Sequence, residues 1–329
     1  MSRAILAPQY GEPSVLEFVT VAVREPGEGE VTIAVRAAGV NPADLKQLRG
    51  EFGRTATMPL RLGSEVAGVI TAVGPVALQA GTEAAVWPGT EVVGPVRALA
   101  VGDEVVAFRV TGGYSEHLTV KASAVLPKPP TLSWEQAGGL FTVGVTAFHL
   151  LAATGVCAGD RVLVHGASGG VGLMAVQLAV LRGATAVGTA SAANQELVRR
   201  HGAEPVVYGD GLEERVRALF PDGVDIALDA VGTDEAVDTS VALVADRARI
   251  ASINAFQRGG ELGITLLGSG PGADPGNAIR MGARAELLEL AGSGRLEVLI
   301  GATFPLAQAA AALELIGGGH PGGKIILLP

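Results

Sequence analysis

The sequence predicts a two-domain α/β protein, with a β-rich N-terminal part followed by a doubly wound parallel sheet. Three observations predict it. Residues 1 to about 135 break into short, partly alternating apolar runs separated by Gly-Pro, Pro-Gly and Gly-Asp pairs. From about Glu135 the rhythm changes to alternating strand-like and helix-like segments. Between them, Arg161 to Ala179 reads as a strand, a glycine-rich turn and a helix.

The early strands are Val31 to Ala37, Val66 to Val73, Glu104 to Phe108 and Ser115 to Val120. In the second part, Val162 to Val164 leads into glycines at 166, 169, 170 and 172, and Val171, Ala175 and Leu178 then recur at helical spacing. Such glycines allow a tight turn and keep side chains away from a bound pyrophosphate, which the N–H groups of the following helix would face. Further strands are expected at Thr185 to Ala190, Pro205 to Tyr208, Val224 to Val231 and Arg249 to Ile253. Helices are expected at Asn194 to His201, Gly211 to Phe220, Val237 to Ala245, Ala278 to Ser293 and Phe304 to Leu315. Alternation at this spacing implies right-handed crossovers. Gly323 to Pro329 reads as a final short strand.

Bulk composition narrows the function classes. The chain has 329 residues, too many for one ordinary core, and 48% hydrophobic against 17% charged residues excludes global disorder. A net charge of −9 with no basic cluster argues against a nucleic-acid partner. The lone Cys157 excludes an internal disulfide framework and a cysteine-built zinc site, and fits a reducing, cytoplasmic setting. Gln136 to Gly159 carries no Asp, Glu, Lys or Arg and is long enough to span a bilayer, but glycines and His149 interrupt it, so a buried helix is expected rather than a membrane segment. Val73-Gly-Pro-Val and Val93-Gly-Pro-Val are twenty residues apart, as a short duplication or a chance match would place them.

The order of motifs resembles the zinc-free, quinone oxidoreductase-like and enoyl reductase-like branch of the medium-chain dehydrogenase/reductases. The resemblance spans Gly39-Val-Asn-Pro-Ala-Asp44, Gly63-Ser-Glu-Val-Ala-Gly68, Val101 to Val105, Gly112-Gly-Tyr-Ser-Glu116, Thr142 to Phe148, the glycine turn, Asp229-Ala-Val-Gly232 and Gly323-Lys324. It implies a GroES-like domain (1–135 and about 303–329), a Rossmann nucleotide domain (136–302) and a cleft between them for nicotinamide and substrate. The cysteine and histidine ligands of the zinc-dependent branch would fall at Asn41 and Ser64, so no metal site is expected. Residues 74 to 93 look like an insertion, either an inert surface loop or an edge of the cleft.

By the same resemblance, Ser168, Gly169, Gly170 and Val171 hold the pyrophosphate. The second strand ends with no carboxylate before Glu196, leaving room for a 2′-phosphate and implying NADPH. Ser191, Asn194 and Tyr208 are the implied phosphate contacts, with Arg199 or Arg200 as charge partners. Asn41, Thr142, Thr146, Val231 and the loop from Asn254 to Phe256 are implied near the nicotinamide. Asn41 and Lys46 are the catalytic candidates. Many relatives have a tyrosine near position 46, and Lys46 either polarises a carbonyl or lies on the surface. The implied activity is hydride transfer from NADPH to a quinone or an α,β-unsaturated carbonyl. A biosynthetic enzyme, reducing an enoyl thioester or running a redox-neutral reaction, and a non-catalytic nucleotide-binding protein are the alternatives. A homodimer is expected, joined through the strand-like stretch from Glu261 to Leu267.

Ser191→Asp is expected to shift cofactor preference toward NADH, because a carboxylate repels a 2′-phosphate and accepts ribose hydroxyls. Titration of both reduced cofactors checks it, and an unchanged preference would contradict the placement of Ser191.

Overall fold

The protein is described by a computed structural model covering residues 1–75, 98–319 and 322–329. The second copy of the possible duplication and most of the 74–93 insertion lie outside the described residues.

The chain begins with β1 (Ser2–Leu6), β2 (Glu17–Val21), β3 (Glu30–Val40), α1 (Pro42–Arg49) and β4 (Glu65–Val73). Next come β5 (Glu104–Phe108), β6 (His117–Lys121), β7 (Val125–Pro127) and α2 (Trp134–Thr154). The alternating region holds β8 (Arg161–His165), α3 (Gly170–Leu181), β9 (Thr185–Ala190), α4 (Gln195–Arg200), β10 (Ala203–Val207) and α5 (Leu212–Leu219). It continues with β11 (Ile226–Asp229), α6 (Asp234–Leu243), β12 (Ile250–Ser252), α7 (Phe256–Glu261), β13 (Thr265–Leu266) and α8 (Asn277–Gly292). The chain closes with β14 (Ile300–Pro305), α9 (Ala309–Gly317) and β15 (Lys324–Leu328).

Two compact units result: Met1–Thr142 with Arg284–Pro329, and Val143–Ala283. The breaks fall inside α2 and α8, beyond the sequence boundary at 135 and ahead of the one near 303. A change of rhythm along the sequence does not reveal a division within a continuous helix. By length and composition α2 could cross a membrane, yet 83% of its most apolar window is buried in the fold, as in a core helix.

In the first unit β3 is the organising strand. Along one edge it pairs antiparallel with β6 through Glu30–Ala34 and with β15 through Ala38–Val40, and β4 runs along the other edge. Its eleven residues make both pairings possible. The core includes Ile33, Val35, Leu48, Leu62, Ile70, Val105 and Leu327. In the second unit all strands are parallel, in the order β10-β9-β8-β11-β12-β13. This is the doubly wound nucleotide-binding order, with the reversal beside β8. Leu163, Val187, Val216, Ala227 and Ile250 fill its core. The α/β class, with a GroES-like β domain and a Rossmann sheet, is as the sequence predicts.

Two elements differ from the sequence reading. Phe304 was expected to start a helix, but Ile300–Pro305 is a strand, parallel to β15, and the helix starts at Ala309. Phe304 takes the strand because a long-range partner is available, which outweighs local helix propensity. The edge expected from Glu261 to Leu267 is also shorter: Glu261 ends α7, and β13 is only Thr265–Leu266. Leu266 is half-buried and packs toward Gly259, where an added Cβ would lie 2.8 Å from its side chain. Part of the apolar alternation there therefore serves the unit's own packing.

Candidate active site

The second unit carries the glycine-rich turn. β8 enters it at His165 and α3 leaves it at Gly170, with Gly169 as the helix N-cap in extended conformation and no side chain capping the helix. The first N–H groups of a helix have no intrahelical acceptor, so they face outward with partial positive charge. No acidic residue lies in that first turn to neutralise it. The glycines divide the work. A Cβ on Gly172 would come within 2.1 Å of the Gly166 carbonyl, and one on Gly170 within 2.9 Å of Val143, so these two serve close packing. A Cβ on the exposed Gly169 would meet only the Gly166 oxygen, at 3.3 Å, leaving the ligand side of the turn open. Ser168 and Val171 flank it, both half-buried. Thr189, absent from the sequence reading, ties the turn to β9: its hydroxyl accepts from Gly166 N–H at 3.1 Å and its carbonyl from Ala167 N–H at 2.9 Å.

The end of β9 lies beside this turn. Asn194 donates its side-chain amide to the Ser168 hydroxyl at 3.4 Å, joining two of the expected contacts. β9 and β10 run parallel with Ala190 opposite Val207, which brings Ser191 and Tyr208 to the carboxyl ends of neighbouring strands. Arg199 pairs with Glu196 at 2.9 Å on the solvent side of α4.

The loops after β11 and β12 meet on one buried carboxylate. Asp229 accepts from the N–H groups of Val231 (2.8 Å) and Gly232 (2.9 Å) and from the Ser252 hydroxyl (2.6 Å). The Ser252 hydroxyl in turn accepts from the N–H groups of Asn254 and Ala255. Val231 and Asn254 are thereby held exposed on adjacent loops, and Asn254 donates to the Ala230 carbonyl. Phe256 starts α7 and lies against Gly270. His165, buried near Asp229, has its pKa pushed down to about 4 by desolvation. Thr146 lies on α2, where its hydroxyl accepts from Arg280 at 3.3 Å. Arg280 also donates to His149.

The first unit holds a buried polar network. Glu65 and Lys324 form an ion pair of 2.8 Å with both side chains almost fully enclosed. Asn41, 1% exposed, donates its amide to Glu65 (3.0 Å) and the Gly39 carbonyl, and its Oδ1 accepts from Lys324. The second Glu65 oxygen accepts the Thr142 N–H at 2.9 Å. The Thr142 hydroxyl oxygen is itself buried without an internal hydrogen-bond partner. Asp44 reaches back to the Asn41 N–H (2.9 Å) and accepts the Tyr114 hydroxyl (2.9 Å). Burial pushes the Asp44 pKa up to about 6, against the opposing effect of these hydrogen bonds. Lys46 lies two residues further along α1, half-buried. Asn41 is thus brought together with Thr142 through Glu65, and its amide is spent inside the protein. Glu65, Asp44, Tyr114 and Lys324 were visible only as members of separate motifs.

Two family profiles match this chain: "Alcohol dehydrogenase GroES-like domain" over residues 27–130 and "Zinc-binding dehydrogenase" over residues 170–268. The mouse protein named "Quinone oxidoreductase" is 30% identical over 354 aligned residues, spanning 100% of this chain and 98% of its own. The chain belongs to the medium-chain dehydrogenase/reductases, in their quinone oxidoreductase and enoyl reductase branch. Among solved structures, a mycobacterial quinone oxidoreductase superposes with a TM-score of 0.77 at 30% identity, each chain fully covered. The CurK enoyl reductase gives 0.82 at 25% identity over 99% of both chains. The family is one of nicotinamide-dependent oxidoreductases, and the uncapped helix with its open glycine fits the pyrophosphate of such a cofactor.

Two predictions follow from this geometry. Gly169→Asp is expected to keep or slightly raise stability, since aspartate is a good N-cap. It should nevertheless abolish cofactor binding, because its carboxylate occupies the N–H groups and repels the pyrophosphate. Thermal unfolding together with cofactor titration tests the pair, and retained affinity would mean that the turn binds no phosphate. The second concerns pH. Folded Asp44 keeps a proton that the unfolded chain releases, so its contribution to stability is lost as pH rises from about 4 to about 6. His165 acts with the opposite sign, its contribution being lost as pH falls from 6.5 to about 4. Asp44→Asn removes only the first effect. Its stability should therefore climb more steeply than wild type over that window, by up to about 1.4 kcal/mol per pH unit. Urea unfolding between pH 4 and 6.5 measures it, and parallel curves would refute the assignment.

Proposed function

We propose that this protein is a zinc-independent, NADPH-dependent reductase of quinones or α,β-unsaturated carbonyls, acting as a cytoplasmic homodimer. The observation that carries the reading is the glycine-capped start of α3 beside a strand end with no carboxylate, where Ser191 and Tyr208 stand on neighbouring strands. Reduced nicotinamide supplies a hydride. The chain's own part is to bind, orient and polarise. Backbone N–H groups at Gly170 and Val171 hold the pyrophosphate, and Ser191, Asn194 and Tyr208 receive the 2′-phosphate. The Asp229 knot presents Val231 and Asn254 toward the reactive ring.

When an enone is reduced at its β-carbon, negative charge grows on oxygen and needs a donor. In the first unit the Thr142 hydroxyl supports that role, because it is buried without an internal partner. Asn41 supports it as a fixed positioning group, since Glu65 and Lys324 consume its amide. That use of Asn41 also favours zinc independence, and no cluster of three His, Cys, Asp or Glu suited to a metal occurs among the described residues. The likeness to the CurK enoyl reductase makes an enoyl thioester one of the acceptors to test.

The test is NADPH oxidation with a panel of quinones, enones and enoyl thioesters, with product analysis, before and after chelation. Turnover that survives chelation is expected. Tight cofactor binding without turnover on any acceptor would overturn the reductase reading, and a stoichiometric zinc lost together with activity would overturn zinc independence.

A further inference from the structure

The loop carrying Tyr208 is fastened by a single side chain. Arg215, on α5, donates Nε to the Val207 carbonyl at 3.0 Å, one terminal nitrogen to the Gly209 carbonyl at 2.7 Å and the other to the Asp210 carbonyl at 2.7 Å. The carbonyls before and after Tyr208 therefore converge on one planar guanidinium. The loop bends around it through Gly209 (φ 98°) and Gly211 (φ 81°), in a backbone region that favours glycine. Val207 is the partner of Ala190 in the sheet, so the backbone that Arg215 grips lies one strand spacing, about 4.8 Å, from the end of β9, just before Ser191.

Its three hydrogen-bond acceptors are neutral carbonyls, and the Glu214 carboxylate approaches the same turn at Gly211 without displacing them. Of Arg199 and Arg200, which the family resemblance offers as charge partners, Arg199 donates to Glu196. A guanidinium also holds three acceptors in a fixed plane, which an ammonium cannot do.

We propose that Arg215 is a positioning residue that sets preference for NADPH over NADH, by holding the Tyr208 loop in place and keeping a positive charge beside the 2′-phosphate. The inference rests on the NADPH reading above. NADH has only a hydroxyl at that position and gains little from either effect, so the signature is selectivity rather than affinity in general.

Fluorescence titration of the purified protein with NADPH and with NADH, without any acceptor, compares wild type with Arg215→Ala and Arg215→Lys. Arg215→Ala should weaken NADPH by about tenfold, equivalent to about 1.4 kcal/mol, and leave NADH within about twofold. Arg215→Lys keeps the charge without the clamp and should recover only part of the loss. A ratio of the two affinities that stays at the wild-type value in the variants, whether both cofactors weaken together or neither does, overturns the role of Arg215. If Arg215→Ala does not fold, the ratio in Arg215→Lys decides. Equal affinities in the wild type overturn the NADPH reading and this inference with it. A clear wild-type preference retained in the variants overturns the Arg215 assignment alone.

Discussion

The first unit depends on one buried ion pair. Glu65 and Lys324 lie far apart in the sequence, and each is almost completely removed from water. A buried charge is tolerated only with a partner, and loss of one member of such a pair leaves the other stranded at a cost of about 3–5 kcal/mol. That requirement makes the end of the chain part of the architecture of its beginning. Lys324 opens β15, which must lie on β3 for the ammonium to reach Glu65, the Val40 carbonyl and Asn41. Glu65 in turn fixes the Thr142 backbone, where a hydroxyl is left without an internal partner. The network thus spends most of its polar atoms on one another and leaves the Thr142 hydroxyl without an internal partner.

The nucleotide unit applies the same accounting of polar groups with a different outcome. Asp229 satisfies two backbone N–H groups and the Ser252 hydroxyl, so the loops after β11 and β12 are rigidly defined although their outer residues are exposed. At the start of α3 the usual side-chain cap is missing, because the capping position is glycine. An uncapped start gives up some helix stability, and it leaves donors aimed at an anion. Packing accounts for Gly170 and Gly172, while Gly169 is the one that keeps the approach open. Motif recognition treats these glycines as equivalent, but their surroundings separate those that let the fold close from the one that leaves the helix start open.

The parts of the fold legible in the sequence are those governed by neighbours along the chain. The strand, turn and helix from Arg161 to Ala179, and the alternation that follows, could be read directly because hydrophobic periodicity and glycine spacing are local properties. Asn194 and Ser168, set apart in the sequence, meet at this turn through a side-chain hydrogen bond. Phe304 was misplaced because its strand exists only through pairing with β15. The stretch from Glu261 to Leu267 was misread because its apolar residues serve the end of α7 as well as a two-residue strand.

The sequence by itself determined the class of each unit, the glycine-rich turn between β8 and α3 and the family, since all of these rest on residue types at short, fixed spacing. Only the tertiary structure decided what the motif residues do. Asn41, read as a catalytic candidate, is enclosed with its amide committed to Glu65 and Lys324. Thr142, read as one contact among several, emerges with a hydroxyl free of internal bonds. Tyr208 owes its place to Arg215, seven residues further on and outside any motif. The physical reason is the same in each case: a polar group's role depends on which partners reach it in space, and burial and hydrogen-bond satisfaction are settled only once distant segments have packed together.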